Sequence, residues 1–535
     1  MLYAPRAGWR VGLVEAGRMA LYHYNLGTLF AERATTAGDK PALRYEAGSI
    51  SYRRLADQVD QLSAMLLRHG HVRGEVIAIA HNKAALSYAL MLAALRLGIA
   101  YVNIDTASPQ ARNGHIVKIC AARTIFVDDE EHLSAMRALA ASVGANAVLL
   151  SETDLEPLTE HDRLQQAAAM AQVDGACIAY IMFTSGSTGL PKGVAVTHQN
   201  LIHFIHWGIE RFEISDEDNF ANLSPMYFDN SVFDFYIALF SGASLTPIHR
   251  KLLNAPAALI AYIEGMACTI WFSVPSLLIY VIAMKALTVS SLSTIRYIVF
   301  GGEGYPKIEL IKLYRMFKGR AKLVNVYGPT ECTCICSAYD LSDDDFLELT
   351  GLPPLGRLNP NFDHLILDDD GLAADLGELC LIGPNVASGY FNDPDRSAAS
   401  FITLTEPERF MKRMYRTGDL VRRDAGNLFF IGRKDNQIKH LGYRIELEEV
   451  EHGLAKLHGV IQAAVIYQRS GTAYGKLIGF VSASEALDEA TLRRQLADHV
   501  PDYMVPSRIV VTDNLPKSAN GKIDRQNLAA LLMSM

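Results

Sequence analysis

Long apolar runs are missing from this 535-residue chain. No window holds the roughly 18 uninterrupted apolar residues of a membrane-crossing helix. The first thirty residues carry Arg6, Arg10, Glu15 and Arg18 without an apolar signal core, so a cytoplasmic protein with no membrane partner is expected. A basic excess is missing too. The 58 acids outnumber the 50 Lys and Arg residues and are interspersed with them, so a net charge of −8 leaves no surface for nucleic acid. Cysteine is sparse and odd in number, seven in all, with no CxxC pair and no nearby His pair, which reads as reduced thiols and excludes a zinc site. Cys332, Cys334 and Cys336 alternate, and a period of two puts all three on one face of a strand as small buried thiols. Repeats and low-complexity tracts are absent. Half of the residues are hydrophobic, and the length exceeds one compact core, so two or more domains are expected.

What is present begins with TSGSTGLPKG, Thr184 to Gly193, directly after an apolar run, Ile178 to Phe183, that reads as a buried strand. Gly186, Gly189 and Gly193 let backbone N–H groups approach an anion. Thr184, Ser185, Ser187 and Thr188 add hydroxyls, and Lys192 adds a positive charge. This is the composition of a phosphate-gripping turn. The common nucleotide loop needs Ser or Thr after its Lys, whereas Gly193 follows Lys192 here, so that loop is excluded.

Around it, helix-like and strand-like patterns alternate. Ser51 to His69 and Ala84 to Leu97 read as helices, Val76 to Ala80 and Thr124 to Val127 as strands, which together predict a layered α/β architecture with mostly parallel sheets. Ser151 to Arg163 reads as a surface connector. Trp271 to Val274 and Tyr297 to Phe300 read as interior strands lining a pocket. Helix Glu446 to Leu457, strand Val460 to Tyr467 and helix Glu489 to His499 form a compact small domain, placed at about 436–535 after a large one at 1–435.

Four further segments, NVYGPTE (Asn325 to Glu331), YRTGDL (Tyr415 to Leu420), GRKDNQIKHLGYRIEL (Gly432 to Leu447) and NGKIDR (Asn520 to Arg525), complete the pattern with the Gly/Ser loop. Together they resemble the adenylate-forming superfamily of acyl-CoA synthetases, luciferases and nonribosomal peptide synthetase adenylation domains. The resemblance extends in order through LRLGIAYVNID, YFDNSVFDFY, GELCLIGPNVASGY and VPDYMVPS, from about Leu26 to the C-terminus. It implies a large N-terminal domain of several subdomains and a small mobile α+β domain, with ATP and Mg²⁺ as cofactors.

Residue by residue, it implies that Lys522 contacts carboxylate and α-phosphate and that Glu331 holds Mg²⁺. Asn325, Val326, Tyr327, Gly328, Pro329 and Thr330 would face the nucleotide, with Gly301, Gly302 and Glu303 along adenine and substrate. Asp419 would accept the ribose hydroxyls, a task for an oxygen pair taking two hydrogen bonds, with Phe430 and Arg433 beside it. By residue type alone RTGD is a hairpin turn. Asp435 stands where the family hinges, Lys439 on the adjoining strand, and Gly442 in a loop that would line the channel for a phosphopantetheine thiol. The chain departs from the family at Asn103, Phe183, His440, Leu441 and Glu448.

Asp229 matches the acid that receives the α-ammonium in the amino-acid-activating branch. The side-chain pocket carried over is Asn230, Phe233, Ser273, Val299, Gly301, Val326 and Cys334, with no charged residue to pair with a charged substrate. IWFSVPS and VFGGEGYP look like stand-alone D-alanine–carrier ligases. A free-standing amino acid–carrier ligase is therefore expected, passing its product to a phosphopantetheinylated carrier protein in trans, since no carrier segment follows Arg525. D-alanine loading for teichoic acid and acyl- or aryl-CoA ligation are the alternatives. The first eighteen residues do not resemble the family opening and are expected to be an extension or an upstream start.

Overall fold

A computed structural model of the chain describes residues 24–186, 189–360, 362–405, 411–469, 475–483, 487–516 and 523–534. Two largely parallel sheets form its centre. In the seven-stranded sheet, Val76–Ala80 lies between Ala100–Ile104 and Thr124–Val127, and Ile178–Thr184 joins outside Ala100–Ile104. All five residues of Val76–Ala80 are buried, as expected of a parallel strand covered on both faces. The eight-stranded sheet runs Ser337–Asp340, Lys322–Tyr327, Tyr297–Gly301, Ile270–Ser273, Asn219–Asn222, Ser244–Pro247, Pro41–Tyr45, Gly48–Ser51, with antiparallel partners only at its two edges.

The helices follow local rules. Ser51 caps Tyr52–Arg68 by accepting from Arg54 N, and Leu55, Val59, Leu62 and Leu66 fall on its buried face. Ala85–Leu97 buries nearly its whole surface and stops at Gly98, whose φ of 66° is a left-handed C-cap. Burying each such Leu contributes about 1.5–3 kcal/mol, and one continuous core spans both sheets from Leu26 to Tyr390. Ser151 to Arg163 is less of a connector than its breakers suggest: Thr159 and Asp162 form a reciprocal capping box that starts a helix, Glu160–Met170.

A third, antiparallel sheet is built on Lys412–Asp424, paired with Leu376–Ile382, Phe401–Leu404 and Asn427–Arg433. RTGD is therefore no hairpin turn. It lies inside the long strand, where the ladder skips a residue between Glu378 and Cys380 and Gly418 adopts a φ of 71°. That bulge re-aims Asp419. Next in the chain come the hairpin Gln437–His440/Tyr443–Glu446 and helix Leu447–Ala455, and the small C-terminal domain carries a three-stranded sheet of Val460–Arg469, Gly475–Ala483 and Arg508–Thr512.

The cysteine expectation is corrected. Residues 333–336 are not a strand, because Thr333 turns the chain at a φ of 75°. Cys334 consequently packs with the central core and Cys332 and Cys336 with the core beside the antiparallel sheet.

Candidate functional site

The carboxyl ends of Ile178–Thr184 and Lys322–Tyr327 meet Asp419 and Arg433 of the antiparallel sheet, and the hairpin 437–446 is seated over them. The cavity between them has a volume of about 90 Å³. Ligand pockets usually hold about 300–1,000 Å³, and the space here is narrowed by the hairpin, whose Gln437, Lys439 and Arg444 side chains and Gly442 backbone form one wall.

The Gly/Ser loop joins two antiparallel strands, with Thr184 opposite Lys192, rather than a strand and a helix. Ser185 donates to Arg444 O at 2.8 Å and accepts from Glu446 N at 3.2 Å. The backbone N–H of Gly186 donates to Glu449 Oε2 at 3.3 Å, and the same carboxylate is ion-paired with Arg112. An anion thus already sits on this loop, which is what its composition implies for phosphate. Thr184 Oγ1 is buried without a hydrogen-bond partner among the described residues. Gly189 has a φ of 79° and lies against His452, so a Cβ there would come within 2.7 Å of the His452 side chain. Ser187 and Thr188 lie outside the described residues.

Glu331 is fully buried. Its Oε1 accepts from Tyr390 OH at 2.9 Å and lies 3.4 Å from Lys192 Nζ, while Oε2 meets Arg444 at 2.8 Å. Burial alone would raise this carboxyl, but Arg444 and Lys192 outweigh it and hold it well below the usual carboxylate range. Burial lowers the ammonium of Lys192 despite Glu331, and that of Lys439 despite Asp419. Among the described residues no three His, Cys, Asp or Glu side chains converge as a metal cage. A single carboxylate held low by Arg444 and Lys192 beside the Gly/Ser loop nevertheless fits Mg²⁺, which binds through one or two carboxylates plus substrate phosphates and waters. Arg444 would have to withdraw from Oε2 first.

Asp419 accepts from Tyr327 OH at 2.6 Å and from Arg433 at 2.6 Å. Arg433 in turn forks onto Asp435, both contacts at 2.6 Å. Gly302, Val326, Gly328, Pro329 and Thr330 line the cavity. A Cβ on Gly328 would stand 1.9 Å from Cys334 O, so only glycine fits there. Asn325 instead ties Pro354 O at 2.8 Å, and Phe430 packs in the core of the third sheet. Glu303 accepts from the backbone N–H groups of Ser276 and Gly442. Lys522 lies outside the described residues.

Asp229 lines the cavity and accepts from Thr330 Oγ1 at 2.5 Å. Burial raises its carboxyl, only partly offset by Thr330 and Lys439. Its loop is pinned from below. Lys83 Nζ donates to Asn222 O, Leu223 O and Ile248 O at 2.6, 3.2 and 3.0 Å, and Asn103, one of the departures, donates to Met226 O at 3.0 Å. Of the side-chain pocket, Asn230, Val326 and Cys334 line the cavity, and Asn230 Nδ2 has no partner there. Ser273 accepts from Trp271 Nε1 at 2.7 Å and borders an adjoining channel with Asp229 and Asn230. Phe233 and Val299 are fully buried behind the wall, with Phe233 edge-on to Phe272. A Cβ on Gly301 would lie 2.4 Å from Val326 O.

Residues 30–391 match the family model described as AMP-binding enzyme, and residues 449–522 match its AMP-binding enzyme C-terminal domain. The chain belongs to the AMP-binding enzyme family. Its curated relatives include the L-proline--[L-prolyl-carrier protein] ligase of Pseudomonas fluorescens, 32% identical across 90% of this chain and 94% of that one. Another is the D-alanine--D-alanyl carrier protein ligase of Bacillus cytotoxicus, 29% identical across 92% and 97%. This AMP-binding enzyme spans 21% or less of the length of the first curated relatives it matches, the dimodular nonribosomal peptide synthase of Bacillus subtilis among them. A solved structure of PA1221, a nonribosomal peptide synthetase protein containing adenylation and PCP domains, superposes with a TM-score of 0.81 at 27% identity, over 95% of this chain and 84% of that one. The resemblance read from the motifs is borne out at the level of family and fold.

Sequence reasoning missed several residues of this AMP-binding enzyme's site: Arg444, Glu449, Arg112, Tyr390 and, at the pocket, Phe272 and Ile335. Arg444 stood inside a motif already singled out. Arg112 carried no local signal, since its partner lies 337 residues away. No described helix is long and apolar enough to cross a membrane.

Proposed function

We propose that this AMP-binding enzyme activates an amino acid with ATP and then loads it onto the phosphopantetheine thiol of a carrier protein. In the first step a carboxylate oxygen bonds to the α-phosphorus and pyrophosphate leaves. In the second, the thiol sulfur bonds to the acyl carbon, the acyl–phosphate C–O bond breaks and AMP departs. Mg²⁺, held by Glu331 and the phosphates, would supply charge neutralisation, with Lys192 and the Gly/Ser loop gripping the phosphates, Asp419 the ribose and Lys522 the reacting oxygens.

The observation that carries the amino acid assignment is Asp229, a carboxylate at the junction of the cavity and the adjoining channel, to which a single hydroxyl is bonded among the described residues. An ammonium is the natural partner for such an acid. Val326, Cys334, Phe272 and Ile335 add no charge, which favours an uncharged side chain. The similarity to L-proline and D-alanine carrier ligases supports the carrier thiol as acceptor. A D-alanine substrate is the second reading, favoured by the latter relative. The division at 435/436, with Asp435 as hinge, belongs to the same proposal, as does a role in secondary-metabolite assembly.

The test is pyrophosphate release with ATP, Mg²⁺ and hydroxylamine across L- and D-amino acids, aryl acids and fatty acids. Stimulation by an amino acid supports the reading, and D-alanine would select the second one. Response only to acids without an amine would reject it in favour of a CoA ligase.

A further inference from the structure

A channel of about 480 Å³ adjoins the central cavity, sharing Phe228, Asp229, Asn230 and Gly442 with it. On another side it shares Leu223, Pro225, Arg250 and Leu253 with a second cavity of about 540 Å³. The channel therefore leads from the acid that receives the substrate ammonium to Arg250, whose side chain is half exposed (51%). Its walls between are Val274, Leu277, Tyr280 and Leu441, with a few hydroxyls and amides. Among the described lining residues Asp229 and Arg250 are the only charged side chains.

That distribution has a chemical meaning. A pantetheine arm is uncharged along its length, with two amides and a dimethyl group, and ends in a thiol at one end and a phosphate at the other. The thiol must reach the acyl carbon beside Asp229. The phosphate then needs a cation near the channel's far limit, because an anion brought against apolar walls without a partner is costly. A guanidinium fork suits phosphate best. Arg250 meets Asp105 through a single contact of 3.4 Å, which leaves the rest of its donors for an anion, and Lys251 lines the adjoining cavity next to it.

We propose that Arg250 binds the phosphate of the incoming 4′-phosphopantetheine where this channel opens. The inference rests on the carrier-thiol reading above. Arg250 is a positioning residue: it touches the arm and not the reacting atoms, and it acts by raising the fraction of bound thiol that reaches the acyl carbon.

Pantetheine and 4′-phosphopantetheine, identical except for the phosphate, serve as the probes. The full chain is supplied with ATP, Mg²⁺ and the amino acid selected by the pyrophosphate screen, and thioester formation is followed by mass spectrometry. In the wild type kcat/KM should favour the phosphorylated thiol by about tenfold or more, the size of one charge-assisted contact. Arg250→Ala should bring the ratio close to one, and Arg250→Lys should leave it in between. A ratio taken on one preparation is insensitive to partial misfolding. No preference in the wild type, or a preference that survives Arg250→Ala, overturns the proposal alone. Thioester from neither probe while pyrophosphate release continues overturns the carrier-thiol reading and this proposal with it.

Discussion

Two buried charges near the substrate loop make opposite demands on their surroundings. Asp229 has one hydroxyl partner and is raised by burial, so its ionised form is completed only by a bound ammonium. Asp229→Ala should lower kcat/KM for the amino acid by about a hundredfold or more, with the loss falling on amino acid rather than ATP in steady-state kinetics; full amino acid turnover would contradict the assignment. The sign of the pH effect follows. As pH falls through the raised value, Asp229 takes up a proton and loses the ammonium, so kcat/KM should drop on the acid side at a higher pH than an ordinary carboxylate gives. Asp229→Asn should flatten that limb. Lys83 is the reverse case, an amine lowered to about 7 by burial, yet with three donors for three backbone carbonyls. Lys83→Met keeps the volume and strands those carbonyls, at a cost of about 2–4 kcal/mol. Urea unfolding followed by tryptophan fluorescence should show the lower midpoint, and an unchanged midpoint would mean the carbonyls find other partners.

In the proposed function, the hairpin 437–446 is the element that separates the two halves of the reaction. Arg444 occupies Glu331 Oε2, where a metal would bind, and Glu449, just beyond the hairpin, occupies the Gly186 N–H, where a phosphate oxygen would bind. The seated hairpin and a bound ATP–Mg²⁺ exclude one another, whereas an adenylate that has lost its pyrophosphate needs neither position. Arg444→Ala should therefore lower the Mg²⁺ concentration needed for half-maximal pyrophosphate release about threefold or more, since a competitor for the carboxylate is gone; an unchanged or higher requirement would refute the competition. Elements like Val76–Ala80, Tyr297–Gly301 and Leu447–Ala455 were legible in the sequence because period and caps are local properties. The bulge in YRTGDL was not, because turn chemistry and a strand bulge use the same Gly, and only pairing with Leu376–Ile382 separates them. Nor was Arg444 on Glu331, because the two stand 113 positions apart in the chain. The motifs singled out residues that the fold brings close, Asp229 and Asp419 on the cavity wall and Glu331 buried against Arg444 and Lys192, while their present partners had to come from the fold.

At the scale of the whole molecule, the proposed function asks one site to run two reactions with different walls. In the arrangement described here the channel beside Asp229 is bordered by Leu441, Gly442 and Tyr443, and Glu303 receives the N–H of Gly442. That is the shape the proposed thiol step requires. Leu515 and Ile523, the described residues nearest Lys522 that join a core, pack against Ala464, Ile466 and Phe480 of the small domain's sheet and do not line the cavity. If the lysine enters only when the small domain turns, its loss must separate the two half-reactions. Lys522→Ala should lower amino-acid-dependent pyrophosphate release by about a thousandfold, the scale of one electrostatic group aimed at the transition state. The same variant, given preformed aminoacyl-adenylate and phosphopantetheine, should form thioester within a few-fold of the wild-type rate, because the walls that serve that step are the hairpin's and not the lysine's. Unchanged pyrophosphate release would remove Lys522 from the chemistry. Collapse of both activities together would mean that a single arrangement serves both steps, and that the hairpin seated on Glu331 is not the wall of a separate thiol-accepting state.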